Sequence, residues 1–514
     1  MVLYPTRTTF HVAIAAAGLV TLGTAGRLAP VAAFGGAMLV AIAIGRAAAL
    51  IGVTRLRQGG FEMIWSANPH MHRTARDAPL VLGCELVNRS REAVRVTKLS
   101  AIASSMLDTS VQPAQVDLAP GTRALLEVTV RGRRVGRWGV HGLGLQVCTT
   151  PFGAEGLYEV PLLFANPLGI EVLPRALAAF GKSARGGRAR LASEPQRRGR
   201  GHSGEVRELR DHAPGDPLKR VAWKASARRG RLLVREMEDD EGDVVWLVVD
   251  ASIELWAGQP GHAPLDRVMD EVAGVATRLL RRGDRVGLAV TASRVQSWVA
   301  PKVGAAQGSL IAEALASASS AVDVDRSALG EADLARLVAE HARPLEPGSQ
   351  TPLTRRNLDE LAERADKLRS RAPFTARVPF APTPRERALR LYLSVFGIES
   401  PPRTSGEREK SESTLAWALE QLAVRKPRPS VVHVWAPAPV NPGVVARGLV
   451  ALRRGRIELR WSLPAYEWAP ADDARQAPVT SMIAGEVARI RASAAREKGA
   501  RALRRLGVRT EARR

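Results

Sequence analysis

Apolar and polar positions change period several times along the 514 residues. From Phe10 to Gly26 no charge interrupts the run, Arg27 follows, and Leu28 to Gly45 is again uncharged before Arg46 and a last apolar stretch from Ala47 to Val53. Each run is near the roughly 17 to 25 residues that cross a hydrocarbon core of about 30 Å. The pattern predicts an amino-terminal transmembrane α-hairpin over residues 8–54, turning at Arg27. A cleaved signal peptide competes with it, although only Arg7 is basic ahead of the first run and a signal has no use for the second. A single span preceded by an interfacial helix also stands, because the first run is only weakly apolar. Arg7, Arg46, Arg55 and Arg57 flank the ends of the hairpin against Arg27 alone in its turn, which directs both ends to the cytoplasm.

Over residues 60–178 the period falls to two. Leu80–Val87, Ala93–Val96, Leu125–Val130 and Gly144–Val147 read as strands, with turns at Asn88-Arg89-Ser90 and Pro120-Gly121. Short strands at this spacing predict a β-sandwich. The phase sets Leu80, Leu82, Cys84 and Leu86 on one face, and Leu143, Leu145 and Val147 on the face opposite Cys148, which argues against a Cys84–Cys148 disulfide.

A basic linker is expected over 179–204, where Gly181 to Gly204 holds seven Lys or Arg against one Glu. A distinctive segment, 205–242, follows: Pro214-Gly215-Asp216-Pro217 is turn chemistry, Val221–Ala227 is amphipathic, and Leu232–Val234 reads as a short strand. From 243 the period changes again. Asp243–Asp250 is a continuous apolar strand, Leu265–Arg282 an amphipathic helix and Arg285–Thr291 a second strand, a β-α-β unit that implies an α/β doubly wound parallel sheet. Ligands of such sheets gather beyond the carboxyl ends of the strands, where Asp250 sits. Between about 325 and 425 the pattern predicts a helical insertion, with helices at Leu334–His341, Asn357–Ala372 and Arg385–Phe396 and a flexible polar stretch over Ser400–Ser413. The domain is taken to run from 243 to 514, closed by a helix with Met482, Ile483, Val487 and Ile490 at helical spacing.

Composition narrows the class. Lysine and arginine number 75 against 51 aspartate and glutamate, a net charge of +24 that favours anionic partners, either acidic membrane lipids or nucleic acid. Aromatics are only 4%, which leaves few stacking platforms for single strands, and with the anchor this turns the expectation from specific nucleic-acid binding to lipid. Two cysteines exclude a cysteine-built zinc module. The sequence has no His-Glu-x-x-His, no Gly-x-Ser-x-Gly and no phosphate loop, so no catalytic residue is assigned and the expectation is a protein without enzymatic chemistry; a hydrolase remains the weaker alternative.

Leu209, Arg210, Asp211, Pro214, Gly215 and Asp216, then Arg220, Trp223, Lys224, Ser226, Ala227 and Arg228, then Leu232, Val234, Arg235 and Glu236 together resemble the signature of the family called domain of unknown function 58, with His212 where that family has Tyr. The resemblance implies an immunoglobulin-like β-sandwich between a membrane anchor and a von Willebrand factor A-like domain, at the bacterial inner (cytoplasmic) membrane. It also implies a scaffold or adaptor working with a MoxR-type AAA+ ATPase in assembly or maturation of other complexes. Arg210, Asp211, Pro214, Gly215, Asp216, Arg220, Trp223, Lys224, Arg228, Arg235 and Glu236 then form the candidate partner-binding set. In von Willebrand factor A-like domains an Asp-x-Ser-x-Ser strand end, a Thr and a second Asp hold Mg²⁺, which makes Asp250, Ser252 and Thr414 the candidate metal ligands, with Thr351 a weaker competitor for Thr414. Glu254 replaces the last Ser, and Trp435-Ala436-Pro437 stands where the second Asp is usual, so a metal-dependent ligand-binding module and a metal-free one are both open. If both ends of the hairpin face the cytoplasm, protease added to sealed inverted vesicles digests the large soluble part, and protection there overturns the assignment.

Overall fold

The computed structural model describes residues 4–66, 71–91, 93–148, 158–186, 206–213, 216, 221–237, 243–256, 260–346, 357–403, 408–464 and 479–511. Strand β1 (Tyr4–Pro5) leads into α1 (Arg7–Ala25), whose Thr6 cap accepts the Thr9 amide at 3.2 Å. Arg27, at φ 53°, turns the chain into α2 (Ala29–Gly59). Then come β2 (Phe61–Trp65), β3 (Met71–Ala75), β4 (Pro79–Asn88), β5 (Val94–Ala103), β6 (Leu107–Gln112), β7 (Val116–Leu118), β8 (Arg123–Gly132), β9 (Gly136–Cys148) and β10 (Tyr158–Leu173). Helix α3 (Arg175–Gly186) precedes β11 (Val206–Asp211), α4 (Trp223–Arg229) and β12 (Leu233–Met237). The α/β part begins with β13 (Val244–Asp250), α5 (Pro264–Arg282), β14 (Arg285–Thr291), β15 (Val295–Lys302) and α6 (Gly304–Ala318). Three helices interrupt it: α7 (Glu331–Leu345), α8 (Leu358–Leu368) and α9 (Pro384–Phe396). It resumes with α10 (Arg408–Val424), β16 (Val431–Trp435), α11 (Pro442–Arg454), β17 (Glu458–Ser462), α12 (Val479–Arg505) and β18 (Arg509–Glu511). These elements form two compact units, Met1–Leu173 with Ser319–Gly406 and Pro174–Ala318 with Glu407–Arg514.

In the first unit α1 and α2 are each long and apolar enough to span a membrane. They pack closely because small residues face each other: a Cβ on Gly35 would lie 2.7 Å from the Ala16 carbonyl oxygen. The β region is two sheets over one core, β2-β4-β8-β6 and β1-β10-β9-β5-β7, with β3 added in parallel to β10. Leu82, Cys84 and Leu86 from one sheet and Leu143, Leu145 and Val147 from the other meet in that core, as their alternation predicts. Cys84 is a free buried thiol, pushed up to about 12 by burial and by neighbouring Glu85.

The inserted helices belong to this unit and not to the sheet whose chain they interrupt. Their apolar faces make a core of Leu334, Val338, Leu361, Ala365, Leu389, Leu393 and Phe396. Their link to β9 includes backbone groups. Ser104 Oγ donates to the Gly397 carbonyl at 2.6 Å, and the Gly139 amide donates to the same oxygen at 3.1 Å. Glycine is required at 139, since a Cβ there would stand 2.4 Å from the Phe396 carbonyl oxygen. Gly397 caps α9 at φ 65°, the left-handed conformation glycine adopts without penalty. The insertion thus runs from 319 to 406. Of the expected flexible stretch Ser400–Ser413, the residues from Arg408 on are helical, in α10; residues 404–407 lie outside the described ones.

The second unit is one sheet in the order β15-β14-β13-β16-β17-β18, parallel except that β15 runs antiparallel to β14. Every residue of β13 is buried, as its unbroken apolar run predicts. Ala500 and Leu503 of α12 enter the core with Trp246, Val434 and Trp461, and β18 pairs with β17, so the tail closes the sheet. Val487 and Ile490 on the earlier turns of α12 are exposed. Helix α3 occupies the first part of the expected linker, because Leu177 and Phe180 are apolar anchors that become buried; residues 187–205 lie outside the described ones.

A buried polar chain lies between the insertion and the β sheets of the first unit. His341 contacts Tyr392 Oη through Nδ1 at 2.8 Å and His141 Nδ1 through Nε2 at 2.9 Å. Burial lowers His141 to about 4 and His341 to about 3, the latter also through His141. Both folded values lie below the ordinary 6.5, so the unfolded chain binds protons more readily. The stability they contribute is complete above pH 6.5 and is lost as pH falls from there through 4. His141 alone accounts for about 3 kcal/mol over that window. Thermal unfolding of the full chain is expected to fall steeply between pH 6.5 and 4 and less steeply in His341→Phe.

Candidate functional site

The sheet of the second unit reverses its strand order at β13, with β14 on one side and β16 on the other. The loops leaving β13 and β16 therefore part at their carboxyl ends, the usual place for a ligand crevice. Asp250 closes β13 there and is 1% exposed. Its Oδ1 accepts the Ser252 amide at 3.0 Å, and its Oδ2 accepts Arg408 Nη1 at 3.2 Å. The same Nη1 lies 3.4 Å from Ser252 Oγ, while Nη2 reaches the carbonyls of Pro437 and Ala438 at 3.5 and 3.4 Å. Nε donates to Glu412 Oε1 at 3.1 Å. Glu412, itself buried, also accepts the amides of Val440 and Asn441 at 2.6 and 3.1 Å. Burial raises the pKa of Asp250, opposed by the charge of Arg408 and by the hydrogen bonds from Ser252.

Arg408 is the first residue of α10, where the helix dipole disfavours a cation. Asp250 in front of it and Glu412 one turn on offset that cost. Thr414 sits on the same helix, but its Oγ1 donates to the Ser293 carbonyl at 3.0 Å. The position after Val434 is Trp435, buried, with its indole N–H on Glu271 at 3.1 Å. Asp250 and Ser252 are thus brought together, Thr414 is engaged elsewhere and Thr351 lies outside the described residues. The donor set does not fit Mg²⁺ in this arrangement, since the guanidinium already occupies the carboxylate that an ion would need. Beside the cluster a cavity of about 520 Å³ is lined by Pro437, Ala438, Val440, Leu463, Arg496 and Lys498 among others.

The second neighbourhood is the segment 206–237. Strands β11 and β12 form an antiparallel two-stranded ribbon, with Arg210 opposite Val234, and α4 lies between them in sequence. Val221, Ala222, Leu233 and Val234 are buried beneath it. Ser226 fixes the helix to the ribbon, donating to the Ala222 carbonyl at 3.0 Å and accepting the Leu233 amide at 2.9 Å. Arg210 holds Asp216 through two bonds of 2.7 and 2.6 Å, and Asp216 accepts the Ala213 amide at 2.9 Å. The Arg210 and Ala213 hydrogen bonds hold Asp216 well below the usual carboxylate range. The outer face carries Trp223, 62% exposed, with Lys224, Arg228 and Arg229 also exposed. Asp211 pairs at the surface with Arg231 at 2.9 Å. Pro214, Gly215 and Arg220 of the expected set lie outside the described residues, and Arg235 and Glu236 are placed only by their backbone on β12.

Sequence reasoning missed Arg408 and Glu412. A buried carboxylate at a strand end demands a counter-charge, and that demand was the one signal available; it does not say which of 75 basic residues answers it.

Residues 208–367 match the family model described as "Protein of unknown function DUF58". No curated protein matches the chain. Among solved structures it is similar over 22% of its length to a PapD-like domain of human CEP192, at 12% identity, 86% of that chain and a TM-score of 0.17. A second is WR4, a C. elegans MSP family member, with 8% identity, 22% of this chain, 96% of that one and a TM-score of 0.16. Escherichia coli alpha-2-macroglobulin shares 19% identity over 22% of this chain and 9% of its own, with a TM-score of 0.16. Likenesses at these scores carry no argument about function.

Ser226→Ala leaves the Leu233 amide buried without an acceptor, at a cost of about 1–3 kcal/mol. Urea unfolding of the full chain is expected to register that loss, with hydrogen exchange at Leu233 rising.

Proposed function

Taking as premise that residues 208–367 belong to the DUF58 family, we propose that the protein is a membrane-anchored scaffold that docks a partner on the face of its β11-α4-β12 segment. The observation that carries this is the exposed Trp223 beside Lys224, Arg228 and Arg229 on a helix that Ser226 ties to the buried Leu233 of the ribbon. An exposed tryptophan flanked by cations contributes little to the fold and is the residue class that dominates binding energy at interfaces. Arg210 does not belong to that outward charge, because Asp216 neutralises it and uses it to fix the loop.

The partner this reading names is a MoxR-type AAA+ ATPase, from the resemblance of the signature, with assembly or maturation of other complexes as the joint task. The finer fold reading goes with it: an immunoglobulin-like β domain, and a von Willebrand factor A-like domain whose strand order places β13 at the switch point. Two apolar helices support an anchor in the bacterial inner membrane with the body in the cytoplasm, and the net charge of +24 supports contact with acidic lipid there. The protein does no chemistry of its own in this scheme.

The test is affinity capture of the full chain from detergent-solubilised native membranes, followed by mass spectrometry. An AAA+ ATPase is expected with the wild type and lost at least tenfold with Trp223→Ala or with Lys224→Ala/Arg228→Ala. Trp223→Ala is expected to leave the unfolding midpoint unchanged, since the side chain is exposed. Equal recovery with the variants overturns the surface, and recovery of no ATPase overturns the partner.

A further inference from the structure

A guanidinium has five N–H groups. At Arg408 they meet five oxygens: Asp250 Oδ2, Ser252 Oγ, Glu412 Oε1 and the carbonyls of Pro437 and Ala438. Two carboxylates, a hydroxyl and two main-chain carbonyls are hard donors of the kind that hold a divalent cation. Both carboxylate side chains are almost wholly buried, at 2% and 3% exposed. Two buried carboxylates require positive charge between them, and in this chain a side chain delivers it. We propose that Arg408 is a tethered substitute for a divalent cation, filling an oxygen cradle made by Asp250, Ser252, Glu412, Pro437 and Ala438.

Three consequences follow from the geometry. The cradle joins the loop after β13, the start of α10 and the loop after β16, so these stay together whatever the ionic composition of the medium. With all five N–H groups engaged, Arg408 has no donor left for the carboxylate of a ligand, and this end of the sheet does not capture acidic partners through a cation. Removing the guanidinium empties a site rich in oxygen ligands, which then answers to Mg²⁺ or Mn²⁺.

The proposal is independent of the docking face on α4, and its experiment involves no partner. The full chain in detergent micelles is titrated with MgCl₂ and MnCl₂ by calorimetry, and its thermal unfolding is followed with either ion and with EDTA. The wild type is expected to give no saturable heat and no shift in midpoint. Arg408→Met is expected to bind one ion per chain, with its midpoint raised by Mg²⁺, and Asp250→Asn on that background is expected to abolish both responses. If Arg408→Met does not fold in EDTA, millimolar Mg²⁺ is expected to restore its folding. Arg408→Lys, which keeps the charge without the planar fork, is expected to melt earlier than the wild type and still exclude the ion. Saturable Mg²⁺ binding by the wild type that Asp250→Asn removes overturns the proposal. So does an Arg408→Met protein that neither binds the ion nor is rescued by it.

Discussion

A carboxylate buried at the end of a central β-strand has to be compensated, and much of the second unit is arranged around how Asp250 is. Each ion taken out of water costs several kcal/mol, which is recovered only if the remaining donors and acceptors are satisfied. Arg408 meets that condition by spreading its donors over Asp250, Ser252, Glu412 and two carbonyls. Glu412 carries the constraint further, since its two oxygens hold the amides of Val440 and Asn441. Asn441 in turn caps α11, accepting the Gly443 amide at 3.2 Å. One ion pair thereby fixes where α10 begins, how the chain leaves β16 and how α11 starts.

The position of Arg408 along the chain gives the pair a second role. Sheet construction stops after α6 and resumes at α10, so the residues between must find a core elsewhere. They find it in the first unit, through Leu334, Leu389, Phe396 and their neighbours. At the seam with β9 the backbone groups of Gly139 and Gly397 meet, which leaves no room for a side chain at 139. The His341 chain with His141 and Tyr392 is buried there as well, and burial favours the neutral form of both imidazoles. Returning from that excursion, the chain needs a firm point of re-entry, and a residue saturated with five receptors is one. The family match runs from 208 to 367, through α7 and into α8, so the departure from the sheet lies inside the matched region.

What was legible in the sequence follows the range of the interactions. The hairpin, the β4 and β9 alternation and the β13-α5-β14 unit are each legible from local runs of the chain, the hairpin from its uncharged length and the others because burial of one face or of a whole strand imposes a period. Asp250 was placed correctly for the same reason, as the first charge after an apolar strand. The affiliation of the insertion was not legible, since α7, α8 and α9 have apolar faces that would suit any sheet, and the contacts that place it join residues far apart in the chain, such as Gly139 with Gly397 and His141 with His341. Arg408 lies in Arg-Glu-Lys-Ser-Glu-Ser, which reads as a solvated stretch; only the fold brings Asp250 to it across 158 positions. Thr414 was assigned by its place before a helix and strand, but its turn of α10 faces the β14-β15 connection. Helix α3 reaches into the expected linker as far as Gly186, because the apolar Phe180 is buried there among residues that otherwise read as basic and polar.

The signature segment shows how a highly charged stretch divides its labour. Arg210 and Asp216 neutralise each other and define a loop, and Ser226 closes the backbone account beneath the helix. Lys224, Arg228 and Arg229 of α4 are exposed, and so is the large apolar side chain of Trp223 beside them. Soluble surfaces scatter single apolar residues freely, so exposure of Trp223 alone would mean little. Its placement on a seven-residue helix pinned from below is different. Ser226 holds that helix to the ribbon through Ala222 and Leu233, and in the proposed docking role an aromatic side chain on a fixed helix loses less conformational entropy on association than one on a mobile loop. Buried and exposed positions of this one short segment are thus different residues, Val221, Ala222, Ser226, Leu233 and Val234 against Trp223, Lys224, Arg228 and Arg229.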